Sequence, residues 1–171
     1  MTTNQANVSA QLNKPVLKEG SKGEAVKELQ ELLLKWSAFV SLDDNGACVF
    51  PGEEVIDGIF GSQTKNAVLL FQGKKFLLQD GIVGDKTWRS LFLNAPVDMP
   101  ILKQGSKGEL VKKVQERLTI GDYYNGKIDG EFSNRTERAV KALQKHTGLP
   151  VDGIIENRTW FELSLINTVF C

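Results

Sequence analysis

A single histidine, His146, and two cysteines, Cys48 and Cys171, are all that 171 residues offer in the way of nitrogen and sulfur metal ligands. A zinc hydrolase centre needs several His, Cys or carboxylate ligands converging on one ion, so no metal site and no cofactor are expected. A serine nucleophile would have only His146 to serve it, and no strand-turn-helix elbow surrounds any serine. His146 itself falls near the end of a helical stretch, where an imidazole interacting with the helix dipole accounts for it. Charge of one sign is also missing: 21 Lys and Arg balance 21 Asp and Glu, split almost evenly along the chain. Nucleic-acid binding draws on a concentrated basic face, and that function class is excluded. No apolar run approaches the ~20 residues of a membrane-spanning helix, so no membrane insertion is expected. The opening residues, MTTNQANVSAQLNK, lack the basic and apolar regions of a Sec-type signal. Their polar, aperiodic character predicts a flexible leader over 1–14. The compartment stays open on the sequence alone.

What is present is a repeat. Pro15 to Leu33, PVLKEGSKGEAVKELQELL, returns as Pro100 to Leu118, PILKQGSKGELVKKVQERL. A second stretch starts at Asp57-Gly58-Ile59-Phe60, runs through Thr64, Ala67-Val68, Gln72, Asp80-Gly81-Ile82, Thr87-Trp88 and Leu91, and returns from Asp129-Gly130-Glu131-Phe132 to Leu163. The offset is 85 positions for the first stretch (100 minus 15) and 72 for the second (129 minus 57), so the first copy holds 13 extra residues. Self-similarity on this scale fixes the architecture before single residues are weighed. It predicts repeat one over 15–94 with an insertion at about 36–53, a linker over 95–99 carrying Pro96, and repeat two over 100–171. Each repeat is small enough for every buried aromatic to matter. A disulfide framework would recur with the module; Cys48 and Cys171 sit in non-equivalent places and are expected to be free thiols.

Within one repeat, Ser21-Lys22-Gly23-Glu24 and Ser106-Lys107-Gly108-Glu109 match the S-x-x-E capping box. Val26, Leu29 and Leu33, and Val111, Val114 and Leu118, follow at helical spacing. Asp-Gly then marks a tight turn, and Phe60 or Phe132 plugs the core. A polar helix start precedes a second apolar stripe, Ala67, Val68, Phe71 or Ala139, Val140, Leu143. A second Asp-Gly, 23 residues after the first in both copies, leads to a short third helix bearing Trp88 or Trp160. The expected fold is all-α, two tandem units of three helices.

The string Tyr123-Tyr124-Asn125-Gly126-Lys127-Ile128-Asp129-Gly130-Glu131-Phe132, with Thr136, Ala139-Val140, Gln144, Gly148-Leu149, Asp152-Gly153 and Thr159-Trp160, closely resembles the peptidoglycan-binding domain, type 1. With Gly105-Ser106-Lys107-Gly108, Val111 and Leu118, the likeness covers nearly all of repeat two and both ends of repeat one. It implies a compact three-helix domain that attaches bacterial cell-wall hydrolases and other envelope or lysis proteins to peptidoglycan, with catalysis in a separate domain. Repeat one departs by lacking Tyr-x-Gly before its first Asp-Gly. Repeat two replaces Gly61 by Ser133 and Gly84 by Glu156, both acceptable at helix starts.

Most of this signature reads as structural. Trp88, Trp160, Phe60 and Phe132 lie on apolar faces and are expected to be buried. Ligand-binding candidates are residues the fold does not need: Tyr123, Tyr124 and Asn125 in a loop, where a ring can lie against a sugar and an amide can bond hydroxyls. One of the two tyrosines is expected in the core. Lys107 and Arg135 could pair with stem-peptide carboxylates, with Lys22 the counterpart of Lys107 in repeat one. Surface charge is the plain alternative for Lys107 and Arg135. Two carboxylates suffice for glycoside hydrolysis, but Asp57, Asp80, Asp129 and Asp152 are accounted for by their turns. The reading is therefore a non-catalytic binder of peptidoglycan, glycan or stem peptide, using two tandem modules, with a cell-envelope location implied. Alternatives are a targeting subunit partnered with a separate cell-wall hydrolase, and an intracellular protein-interaction module that keeps the fold.

Overall fold

The computed structural model describes residues 12–42, 45 and 47–166. They divide into two compact units, the first ending at Val97 and the second beginning at Asp98. The first unit holds helices α1 (Glu24–Lys35), α2 (Ser62–Lys74) and α3 (Asp85–Leu93); the second holds α4 (Glu109–Ile120), α5 (Asn134–His146) and α6 (Asn157–Leu165). A two-residue antiparallel pair, β1 (Ser41–Leu42) with β2 (Cys48–Val49), and a 3-10 turn at Glu53–Val55 interrupt only the first unit. The fold is all-α, as the periodicity predicts. Among the described residues no helix is long and apolar enough to cross a membrane.

The stripes meet in two cores. Val26, Leu29 and Leu33 are fully buried with Phe60, Val68, Trp88 and Leu91; Val111, Val114 and Leu118 are buried with Phe132, Val140, Trp160 and Leu163. Each such side chain contributes about 1.5–3 kcal/mol on leaving water. The indoles also anchor the entry of each unit, since Trp88 Nε1 donates to the Pro15 carbonyl at 2.9 Å and Trp160 Nε1 to that of Pro100 at 2.8 Å. These tryptophans are core, as expected.

A polar device occurs four times. Gln30, Gln72, Gln115 and Gln144 sit on the helices at 0–2% exposure. Each sends Nε2 to the aspartate of the following Asp-Gly turn at 2.8–3.0 Å. The same nitrogen reaches the threonine seven residues after that aspartate at 3.1–3.4 Å. Each Oε1 accepts the turn glycine's N–H at 2.8–3.0 Å. Those glycines have φ of 71–77°, a left-handed conformation that costs other residues. The aspartates close the turn by accepting the N–H two residues on. The Gln30 and Gln115 amides, followed by these backbone N–H groups, hold the Asp57 and Asp129 carboxyls below the usual range; for Asp152 the Ile154 N–H leads and Gln144 adds to it. Each three-helix unit is thus a helix, a stapled turn, a helix, a stapled turn and a helix.

The capping-box expectation is corrected. The N-caps of α1 and α4 are Gly23 and Gly108, with no side-chain cap bond. Ser21 Oγ instead accepts the Lys18 N–H, and Ser106 Oγ that of Lys103, both at 3.1 Å. The lead-in segments are held by backbone pairing: Leu17 exchanges bonds with Val83, and Ser21 O accepts from Phe60 N, with Leu102, Ile155, Ser106 and Phe132 repeating the pattern. Each lead-in therefore ties the two turns of its unit together.

Two further expectations change. The leader is not featureless to residue 14, because Leu12 packs against the core and Lys14 Nζ pairs with Glu28 and lies 5.6 Å from the Trp88 ring centre; residues 1–11 lie outside the described residues. Cys48 is disulfide-bonded rather than a free thiol. A cross-link that fastens an insertion has no reason to recur in the repeat that lacks the insertion, so non-equivalence was the wrong criterion. Cys171 lies outside the described residues.

Candidate functional site

The end of α4 sets the geometry. Asp122 turns the chain with φ of 60°, after which the N–H groups of both Tyr123 and Tyr124 converge on the Leu118 carbonyl, at 2.8 and 3.1 Å. This doubled bond points the two rings to different places. Tyr124 goes inward, 5% exposed, its hydroxyl donating to Lys127 O at 2.8 Å and accepting from Gln115 Nε2 at 3.4 Å. Tyr123 stays half-exposed, its ring meeting the edge of His146 at 6.0 Å between centroids. One tyrosine is core and one is surface, as expected.

Facing this loop is α5. Arg135 and Arg138 are exposed and one turn apart. The Arg135 stem passes so close to the loop that a Cβ on Gly126 would come within 2.6 Å of both Arg135 Cδ and Tyr124 Oη. A residue larger than glycine there would push the arginine or the tyrosine aside, which explains Tyr-x-Gly. Tyr123, Tyr124, Asn125, Arg135, Arg138 and Ala139 together line an open groove of about 430 Å³. Neither guanidinium has a hydrogen-bond or ion-pair partner among the described residues. On the same helix Lys141 pairs with Glu137 at 2.5 Å. The groove thus presents an aromatic ring, an amide and two uncompensated positive forks.

Four candidates from the sequence, Tyr123, Tyr124, Asn125 and Arg135, come together here. Lys107 and Lys22 do not line the groove. Lys107 Nζ contacts Glu131 at 2.6 Å, and this hydrogen bond, then the charge of Glu131, raises its pKa. Lys22 is exposed, with its backbone bridged to Ile59. Arg138 was missed. Its spacing of three from Arg135 places both on one helical face, a signal available in the sequence.

Repeat one has different residues at these positions. Ala38 N donates to Leu33 O at 2.9 Å, matching Tyr123 to Leu118, and Ser37 repeats the left-handed turn of Asp122. Trp36 to Phe39 therefore correspond to Gly121 to Tyr124, and the insertion begins after Phe39. Ala38, Phe39, Gln63 and Asn66 stand where repeat two has Tyr123, Tyr124, Arg135 and Arg138. Among the described residues, no group of three or more His, Cys, Asp or Glu could hold a metal ion.

A family model described as "Putative peptidoglycan binding domain" matches residues 22–91 and again 107–163. The chain belongs to this family. The two matches fall on the two three-helix units, so the tandem arrangement is one of two peptidoglycan-binding domains. Among curated proteins it is similar to the N-acetylmuramoyl-L-alanine amidase CwlM of Mycobacterium tuberculosis, 31% identical over 157 residues, 89% of this chain and 38% of the relative. It is also similar to the N-acetylmuramoyl-L-alanine amidase CwlL of Bacillus licheniformis, 30% identical over 189 residues, 96% of this chain and 49% of the relative. The peptidoglycan-binding chain thus spans less than half the length of either amidase. The crystal structure of the SleB N-terminal domain is similar over 37% of this chain and 88% of that one, with 38% identity and a TM-score of 0.37.

Proposed function

We propose that this chain binds bacterial cell-wall peptidoglycan without modifying it, through its two tandem domains. The observation that carries the reading is the groove of repeat two, which Tyr123, Asn125, Arg135 and Arg138 line from a loop and one face of α5, beside the buried Tyr124 and Ala139. None of these groups has the arrangement of a nucleophile with a base. The turn aspartates accept bonds from buried glutamines and backbone amides, which suits folding rather than acid-base work. Two modest contacts on one chain hold a polymer better than their separate affinities suggest, because the second forms at the local concentration set by the linker.

A second reading is supported by the comparisons: the chain aligns with part of each of two amidases, so it suits the targeting portion of a wall-lytic system, with catalysis supplied by a separate hydrolase. In both readings the chain acts in the cell envelope. Co-sedimentation of the purified chain with insoluble sacculi, with fragment release followed in the supernatant, tests the binding claim. Saturable pelleting without released fragments is expected. Release of muropeptides would contradict a purely binding role, and a folded chain that stays in solution would contradict both readings.

A further inference from the structure

We propose that the groove of repeat two recognises the carboxylate-bearing stem peptide of peptidoglycan, with Arg135 and Arg138 as the anion contacts, and that repeat one has no counterpart of this contact. The proposal rests on the peptidoglycan reading and narrows it to one chemical part of the polymer. An N-acetylated glycan strand whose lactyl groups are amide-linked carries no charge, whereas the stem peptide carries free carboxylates. Two exposed guanidiniums one helical turn apart, without ion-pair partners, are matched to the second chemistry and gain little from the first.

The rest of the groove agrees. Gly126 lets the Arg135 stem lie against Tyr124, so the side chain starts from a fixed base rather than from free solution. Tyr124 is itself tied to Lys127 O and Gln115, which makes that wall rigid. Asn125 is exposed and offers both a donor and an acceptor, the pair that a peptide backbone requires. Tyr123 supplies a half-exposed ring for an aliphatic side chain or a sugar face. A volume of about 430 Å³ lies within the range that small ligands use. In repeat one the same places hold Ala38, Gln63 and Asn66, so both cations and the exposed ring are absent together.

The test is calorimetric titration of the full chain with three probes: soluble muropeptides bearing the stem peptide, peptide-free glycan strands whose freed lactyl carboxylates are capped as amides, and the same muropeptides with their carboxylates amidated. The wild type should bind the first at one site per chain, and should bind the second and third about tenfold more weakly or less, the loss of a charge-assisted contact. R135Q/R138Q should bind all three alike and weakly while melting as the wild type does, since both arginines are exposed. Glycan strands that bind as tightly as muropeptides, with the double variant unaffected, would overturn stem-peptide recognition and leave wall binding standing. Two equal sites per chain would overturn the asymmetry between repeats. Failure of the folded wild type to pellet with whole sacculi would remove the underlying reading as well.

Discussion

Four glutamines carry more of this fold than their polarity suggests. Each is buried, and each satisfies an aspartate, a threonine and a glycine amide at once. Removing the side chain would strand a buried N–H and leave a cavity, two separate costs. Gln144→Ala is therefore expected to destabilise the second unit by about 2–4 kcal/mol, read by denaturant unfolding, while leaving the Tyr123 groove in place. A change below about 0.5 kcal/mol, the range of ordinary surface substitutions, would contradict the staple. The Asp-Gly turns were legible in the sequence because glycine and aspartate have local reasons to be there. Their glutamine partners were not, since a polar residue beside an apolar stripe looks like the edge of that stripe until the opposing turn is in view. The same holds for Tyr123 and Tyr124: the loop position was readable, but which ring turns inward depends on two N–H groups sharing Leu118 O.

At the scale of elements, the six helices follow from spacing; four of them start on glycine N-caps, Gly23, Gly61, Gly84 and Gly108, and two on Ser133 and Glu156, none with a side-chain cap bond. The capping box failed because a tertiary contact outcompeted a local one. The Ser21 carbonyl is engaged by Phe60 N, and Gly23 N by the Gly58 carbonyl, so the chain enters α1 through backbone pairing and the serine hydroxyl turns back to Lys18. The insertion after Phe39 is a short hairpin whose second strand contains the disulfide-bonded Cys48. Alkylation of the denatured chain should therefore leave Cys48 unmodified until a reductant is added, as read by peptide mass spectrometry. Labelling of Cys48 without reductant would contradict the cross-link. Charge and hydropathy could not announce this bond, because Cys48 stands in the insertion, outside the pattern that the two repeats share.

For the whole molecule, the repeat told the architecture and the family, while the difference between the two copies tells the function proposed here. Repeats one and two share cores, staples and lead-in segments, and part at the loop and helix face where Ala38, Gln63 and Asn66 replace Tyr123, Arg135 and Arg138. Residues held in common by both copies serve the fold; those confined to one copy are free to serve a ligand. Only Arg138 escaped the sequence reading among the groove residues with polar groups, although helical spacing links it to Arg135. The most direct test is a binding isotherm on purified sacculi for the wild type and for Tyr123→Ala, with thermal unfolding of both as the control. The account predicts retention about tenfold weaker for the variant, with unfolding nearly unchanged because the ring is half-exposed. Equal retention by a fully folded variant would contradict the assignment of this groove as a contact through which the chain holds the wall.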